Sequence, residues 1–234
     1  SSMRELEGLP LKREVVQGNV QVPLRFQQDG ITFLVDPVNG QKTGFFFDQR
    51  MNRRLVQQYL PPNASVLDLF SYTGAFGLYA LKAGASHVTF VDDSEKALQL
   101  AREAAQENGW ETKSEFLKQD IFPWLSSHDD AYDVVIVDPP ALVKSRTKVN
   151  AALRAYRDLN ARAMDRVKSG GLLATSSCSG LVSPSAWRDA LQEGARKAGK
   201  RMRLIAQGSQ APDHPILAAM PETEYLKFAI AVIG

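Results

Sequence analysis

The period of apolar positions changes at about residue 47. Before it, Val20-Gln21-Val22-Pro23-Leu24-Arg25-Phe26 and Ile31-Thr32-Phe33-Leu34-Val35 read as strands. Gln28-Asp29-Gly30 between them is a hairpin signal, and Asp36-Pro37-Val38-Asn39-Gly40 is turn chemistry. Residues 11–46 therefore predict a small β-rich segment. From Asp48 to Leu60 the pattern becomes helical and stops at Pro61-Pro62.

Beyond the prolines, strands and helices alternate. Ser65–Phe70 predicts a strand, Gly74 a turn, and the following residues a helix through about Lys82. His87–Val91 is a strand, and Ser94 caps a helix reaching Asn108-Gly109. A short strand at Glu115–Leu117 precedes a brief helical turn near Phe122–Trp124. Tyr132-Asp133-Val134-Val135-Ile136-Val137 has the continuous apolar run of a strand buried on both faces. A helix over about Asn150–Lys168, stopped by Gly170-Gly171, leads to a strand at Leu172–Ser176 and a helix at Pro184–Lys197. Two strands, near 203–207 and 225–233, close the chain with no helix between them, so the last is expected to pair antiparallel. Such alternation predicts an α/β fold around a mostly parallel, doubly wound sheet.

Composition adds limits. An apolar share of 44% in 234 residues supports a sizeable core. No apolar run approaches a membrane span, and Ser1-Ser2-Met3-Arg4-Glu5 is no signal-peptide core, so a cytoplasmic protein is expected. One cysteine excludes an internal disulfide and cysteine-rich metal sites; no metal is expected. A net charge of +2 announces no nucleic-acid partner, but eight Lys or Arg lie between Lys144 and Lys168, and Arg196, Lys197, Lys200, Arg201 and Arg203 follow. These fit either phosphate contacts or ordinary solvated helix faces.

In a sheet of this kind, ligands sit beyond the carboxyl ends of the strands. The loop after the first strand of the alternation, Asp68-Leu69-Phe70-Ser71-Tyr72-Thr73-Gly74, is neither a three-glycine dinucleotide fingerprint nor a phosphate loop. Asp92 ends the second strand, where an acid accepts hydrogen bonds from a ribose diol; Asp120 ends the third, where it can take an adenine amino group. Helix or turn capping competes at both. Acids at successive strand ends together outline an adenosine site. Asp138-Pro139-Pro140 follows the fourth strand, its prolines fixing the backbone around the carboxylate. Ala141 stands where amino-directed nucleic-acid methyltransferases carry a stacking aromatic. Cys178 lies just past the fifth strand, on the same edge as Asp138. A thiolate that adds to carbon 6 of a pyrimidine makes carbon 5 nucleophilic, and an acid donating at position 3 eases that addition. A small buried hydrophobe is the plainer role for a lone cysteine.

These residues resemble the bacterial RlmI-like family of large-subunit ribosomal RNA cytosine-5 methyltransferases. The resemblance rests on Lys42-Thr43-Gly44-Phe45-Phe46-Phe47-Asp48-Gln49-Arg50, Phe70–Gly74, Val91-Asp92-Asp93-Ser94, Asp138-Pro139-Pro140, Ser177-Cys178-Ser179-Gly180 and Asp213-His214-Pro215, and covers about residues 11–234. It implies a Rossmann-like class I methyltransferase domain over 47–234, preceded by the β-rich segment, 1–46. It also implies S-adenosyl-L-methionine as cofactor, RNA as partner, and Cys178 as nucleophile beside Asp138. Cofactor contacts are then expected at Gln49, Arg50, Asp68, Phe70, Tyr72, Gly74, Asp92, Ser94, Asp120 and Ile121. Two departures stand out. The family's usual RNA-binding PUA domain has no counterpart before residue 11, and Ala141 replaces the second cysteine with which other RNA cytosine-5 methyltransferases release product. Methylation at another position, such as a guanine ring nitrogen, and a non-catalytic RNA-binding role remain open on the sequence alone.

Overall fold

The computed structural model describes residues 7–8, 15–143 and 145–234. Lys144 of the basic run, the amino-terminal stretch Ser1–Glu5 and the first residues of the predicted β-rich segment, 11–14, lie outside them. Among the described residues, nine strands fall into two sheets.

The first is the expected hairpin, β1 (Leu24–Gln28) and β2 (Ile31–Val35), paired antiparallel. Asp29 and Gly30 form its tip with φ of 53° and 70°, the doubly left-handed turn whose twist matches a hairpin. The strand begins four residues later than Val20, after Pro23, which has no N–H to give a ladder. Ile31 and Phe33 are fully buried in the same apolar cluster as the main sheet, and Phe33 packs on Phe26 and Phe45 with centroids 5.4 and 5.0 Å away. Asp29 is clamped by Arg54, at 2.6 Å.

The second sheet has seven strands in the order β5-β4-β3-β6-β7-β9-β8. These are β3 (Ser65–Leu69), β4 (His87–Asp92), β5 (Ser114–Lys118), β6 (Tyr132–Val137), β7 (Val167–Ser177), β8 (Met202–Gly208) and β9 (Lys227–Ile233). The first five run parallel; β9 is antiparallel to both β7 and β8 and lies between them. The helices are α1 (Arg50–Tyr59), α2 (Ala75–Lys82), α3 (Glu95–Glu107), α4 (Ile121–Ser127), α5 (Val149–Asp165) and α6 (Pro184–Lys197). Successive residues of one strand supply both faces: on β6, Val134 and Ile136 enter one core cluster, Val135 and Val137 the other.

Further boundaries differ from the sequence pattern. The helix at 150–168 stops at Asp165, and Gly170-Gly171 lies inside β7 instead of ending a helix. There the ladder on β6 slips between Tyr132 and Val134; Gly170 takes φ +79°, and a Cβ on Gly171 would meet the Asp133 carbonyl at 2.7 Å. A bulge, which needs such residues, looks like a helix stop in sequence. The brief turn expected near Phe122 is the full helix α4, since Pro123 lies in its first turn, where an N–H has no intrahelical partner. Residues 47–49 form a separate 3-10 turn before α1. Among the described residues, no helix is long and apolar enough to cross a membrane.

Candidate active site

The sheet's carboxyl edge opens into a cleft of about 310 Å³, at the point where strand order reverses between β3 and β6. Its wall draws on most of the motifs the sequence singled out; Asp213-His214-Pro215 is not part of it. Phe70 and Tyr72 follow β3, Asp92 ends β4, Asp120 and Ile121 start α4, Asp138 and the two prolines follow β6, and Cys178 follows β7. Gln49 reaches it from the 3-10 turn.

At the β3–β4 end, Asp92 is buried, and burial pushes its carboxyl above the usual range. Its Oδ2 accepts the Tyr72 N–H at 2.8 Å and its Oδ1 the Ser94 N–H at 2.9 Å. Each oxygen keeps a further lone pair for a ligand hydroxyl. Phe70 and Tyr72 take left-handed φ of 59° and 49°, which throws this loop outward between β3 and α2. Asp120 is exposed and caps α4 through Phe122 N–H at 3.2 Å, so the capping role weighed from sequence is real while the residue still lines the cleft.

At the β6–β7 end, Asp138 is held from two sides: Gln49 donates to its Oδ1 at 2.8 Å, and the Ser176 hydroxyl donates to the same oxygen. Burial outweighs these bonds and the nearby Arg53 and pushes the carboxyl up to about 6. Cys178 is half-buried, with its Sγ 4.0 Å from the Pro139 carbonyl. Burial, and after it the Asp138 charge, push the thiol up to about 11, with Lys42 acting the other way. The two groups proposed from sequence to act together thus lie on one cleft and feel each other's charge.

Four residues expected as cofactor contacts do not reach the wall. Asp68 is buried beneath the loop, where its Oδ2 accepts the Gly77 N–H at 2.8 Å and burial raises its carboxyl to about 8. Gly74 takes φ +76° and packs toward α3 and β4; a Cβ would come within 2.9 Å of Ala101 and 3.1 Å of Phe90. Ser94 caps α3 by accepting the Ala97 N–H. Arg50 points to Asp213, 3.5 Å away. His214 pairs with its neighbour Asp213, and its backbone N–H donates to the Ala211 carbonyl of a turn.

The structure also adds side chains that the sequence reading did not name individually. Ser71 and Thr73 line the cleft, and their buried hydroxyls have no hydrogen-bond partner among the described residues. Arg53 is 1% exposed, spans Gln28 and the Phe46 carbonyl, and sits 4.4 Å over the Phe45 ring. Burial lowers it to about 10, against the pull of Asp138, Asp48 and Asp68. Asp48 is buried on the cleft wall, bonded to Lys42 and Tyr225. The signal for Arg53 was its place on the inner face of an otherwise polar helix; for Asp48, its place beside Gln49.

The family model for S-adenosylmethionine-dependent methyltransferases matches residues 14–226. The chain belongs to that family. It is similar to the ribosomal RNA large subunit methyltransferase I of Aeromonas salmonicida, 40% identical over 97% of this chain and 58% of that protein. The one from Aliivibrio fischeri is 41% identical over 99% of this chain and 60% of its own length. The chain thus spans somewhat more than half of these methyltransferases. A solved SAM-dependent methyltransferase from Streptococcus mutans shares the fold, with a TM-score of 0.82 at 23% identity over 93% of this chain and 57% of that one. Another methyltransferase, solved in complex with SAH, gives 0.79 over 92% and 58%.

Proposed function

We propose that this chain is the catalytic part of an RNA methyltransferase that makes 5-methylcytosine in large-subunit ribosomal RNA. The carrying observation is the one cleft that holds Asp92 and Asp120 at one end and Cys178 with Asp138 at the other. The names of the relatives support ribosomal RNA as the substrate class.

The unpartnered hydroxyls of Ser71 and Thr73 fit a polar ligand, and with Asp92 and Asp120 would hold S-adenosylmethionine. When bound, that cofactor supplies an electrophilic methyl group. Cys178, as thiolate, adds to carbon 6 of the cytosine while Asp138 gives a proton to ring nitrogen 3. Carbon 5 becomes enamine-like and takes the methyl group. Loss of the carbon 5 proton then expels the thiolate, and nitrogen 3 returns its proton to Asp138, restoring the ring and the acid. The base for that last proton is not a second cysteine, since the chain has only one. Gln49 and Ser176 keep the Asp138 carboxyl turned into the cleft.

A fluorine at carbon 5 cannot leave as the proton does, so RNA containing 5-fluorocytidine should become covalently bound to the protein in a form that survives denaturation. The Cys178→Ala protein should form no such complex and lose at least about 10³-fold in turnover, with SAM affinity by calorimetry within about twofold of the parent. Wild-type rates in Cys178→Ala would end this reading; modification at a guanine nitrogen without an adduct would replace it.

A further inference from the structure

Asp48 is a second buried carboxylate on the same cleft, and the chemistry above does not use it. Its side chain is 3% exposed. One oxygen, Oδ2, is fully engaged: the Tyr225 hydroxyl donates at 2.7 Å and the Lys42 ammonium lies at 3.2 Å. The other, Oδ1, is buried with no partner among the described residues. A carboxylate oxygen left buried and unpaired is costly, and a ligand that donates a hydrogen bond there removes the cost. The adjacent residue, Gln49, donates to Asp138, so a single 3-10 turn ties the two carboxyl groups together at the Cys178 end of the cleft.

We propose that Asp48 identifies the target base, its unpaired oxygen accepting the exocyclic amino group of a cytosine whose ring nitrogen 3 faces Asp138, and so rejecting uracil. This rests on the cytosine-5 reading and deepens it. Along its pairing edge cytosine offers an acceptor at position 3 and a donor at position 4; uracil offers the reverse. An ionised carboxylate only accepts, and a protonated one can donate. Environments that push two nearby carboxyl groups apart assign them these opposite parts. Burial alone would raise Asp48, but Tyr225, Lys42 and His214 together hold it below the usual carboxylate range, whereas Asp138 is raised. A uracil placed the same way would set its position 4 oxygen against the buried carboxylate. Its position 3 N–H would oppose a group poised to donate.

Large-subunit ribosomal RNA transcripts made with either 5-fluorocytidine or 5-fluorouridine test this, read as covalent adduct formed per unit time. The parent protein should trap on the cytidine analogue alone. Asp48→Asn, which can turn a donor or an acceptor toward the base, should lower the cytidine-to-uridine ratio of adduct rates by at least about 10²-fold. SAM affinity should stay within about twofold. Asp48→Glu keeps an acceptor-only group and should keep the preference even where its rate falls; it also decides the matter if Asp48→Asn does not fold. An unchanged ratio in Asp48→Asn, or a lost preference in Asp48→Glu, overturns the proposal. So does a tenfold loss of SAM affinity with the ratio intact, which would assign Asp48 to the cofactor's amino group. No adduct with the parent protein on either transcript defeats the cytosine-5 reading itself, and this proposal with it.

Discussion

A thiol pushed up to about 11 is a poor source of thiolate at neutral pH. Its second cause, after burial, is the charge on Asp138. Removing that charge should therefore ease ionisation of Cys178 while removing the acid that the proposed reaction needs. Asp138→Asn is expected to react faster than the parent with iodoacetamide at pH 8 and yet methylate RNA at least about 10²-fold more slowly. The sign follows from the causes: loss of a neighbouring negative charge lowers the thiol pKa, and below it each pH unit multiplies the thiolate about tenfold. Equal alkylation rates in the two proteins would show that the two groups do not feel each other. Asp138 was legible in sequence as a strand-ending acid before two prolines; its raised carboxyl was not, because burial raises it against the pull of Ser176 and Arg53, and these come from other elements.

At the scale of elements, the loop between β3 and α2 shows how packing holds the cleft in place. Gly77 lies inside α2 against β4; a Cβ there would meet the Phe90 ring at 2.2 Å and Val88 at 2.9 Å. Phe90 is fully buried and stacks on Phe116 at 4.7 Å, so it has nowhere to turn. Gly77→Ala is expected to cost about 1–3 kcal/mol in urea unfolding and to weaken SAM binding, because the Gly77 N–H also holds Asp68 beneath the loop. An unchanged unfolding midpoint would refute this packing argument. Sequence inspection noticed Gly74 in this loop and not Gly77, since a helical glycine shows its purpose only when the neighbouring strand is in place.

At the scale of the whole molecule, the basic run from Lys144 to Lys168 is not one surface. Helix α5 runs back against the direction of the strands, so its start lies at the cleft edge and its end at the opposite edge. Lys168 is spent at that far edge, 3.0 Å from Asp133, and Arg166 pairs with Asp129. Arg146 and Lys148, by contrast, are exposed at the start of α5, and neither enters an ion pair among the described residues. If RNA crosses the cleft, Arg146→Gln with Lys148→Gln should weaken its binding and reduce the salt dependence of log affinity by about 1.4, at about 0.7 per phosphate contact on single strands. Lys168→Gln should leave that slope unchanged. Filter-binding titrations across a salt series would show it, and equal slopes in all three proteins would remove α5 from the RNA path.

The sequence by itself determined the alternation of strands and helices, the hairpin turn at Asp29-Gly30 and the acids at the strand ends, because period and turn chemistry are local properties. It also marked Cys178 and Asp138 as neighbours, since a doubly wound parallel sheet puts the ends of successive strands on one edge. Only tertiary structure decided which members of each motif face the cleft. Asp68, Gly74, Ser94 and Arg50 turned to packing, capping or ion pairing, while Ser71, Thr73 and Asp48 came to the wall. The reason is physical: which way a loop residue points, and whether a buried carboxyl is charged, depends on groups many residues away in the chain.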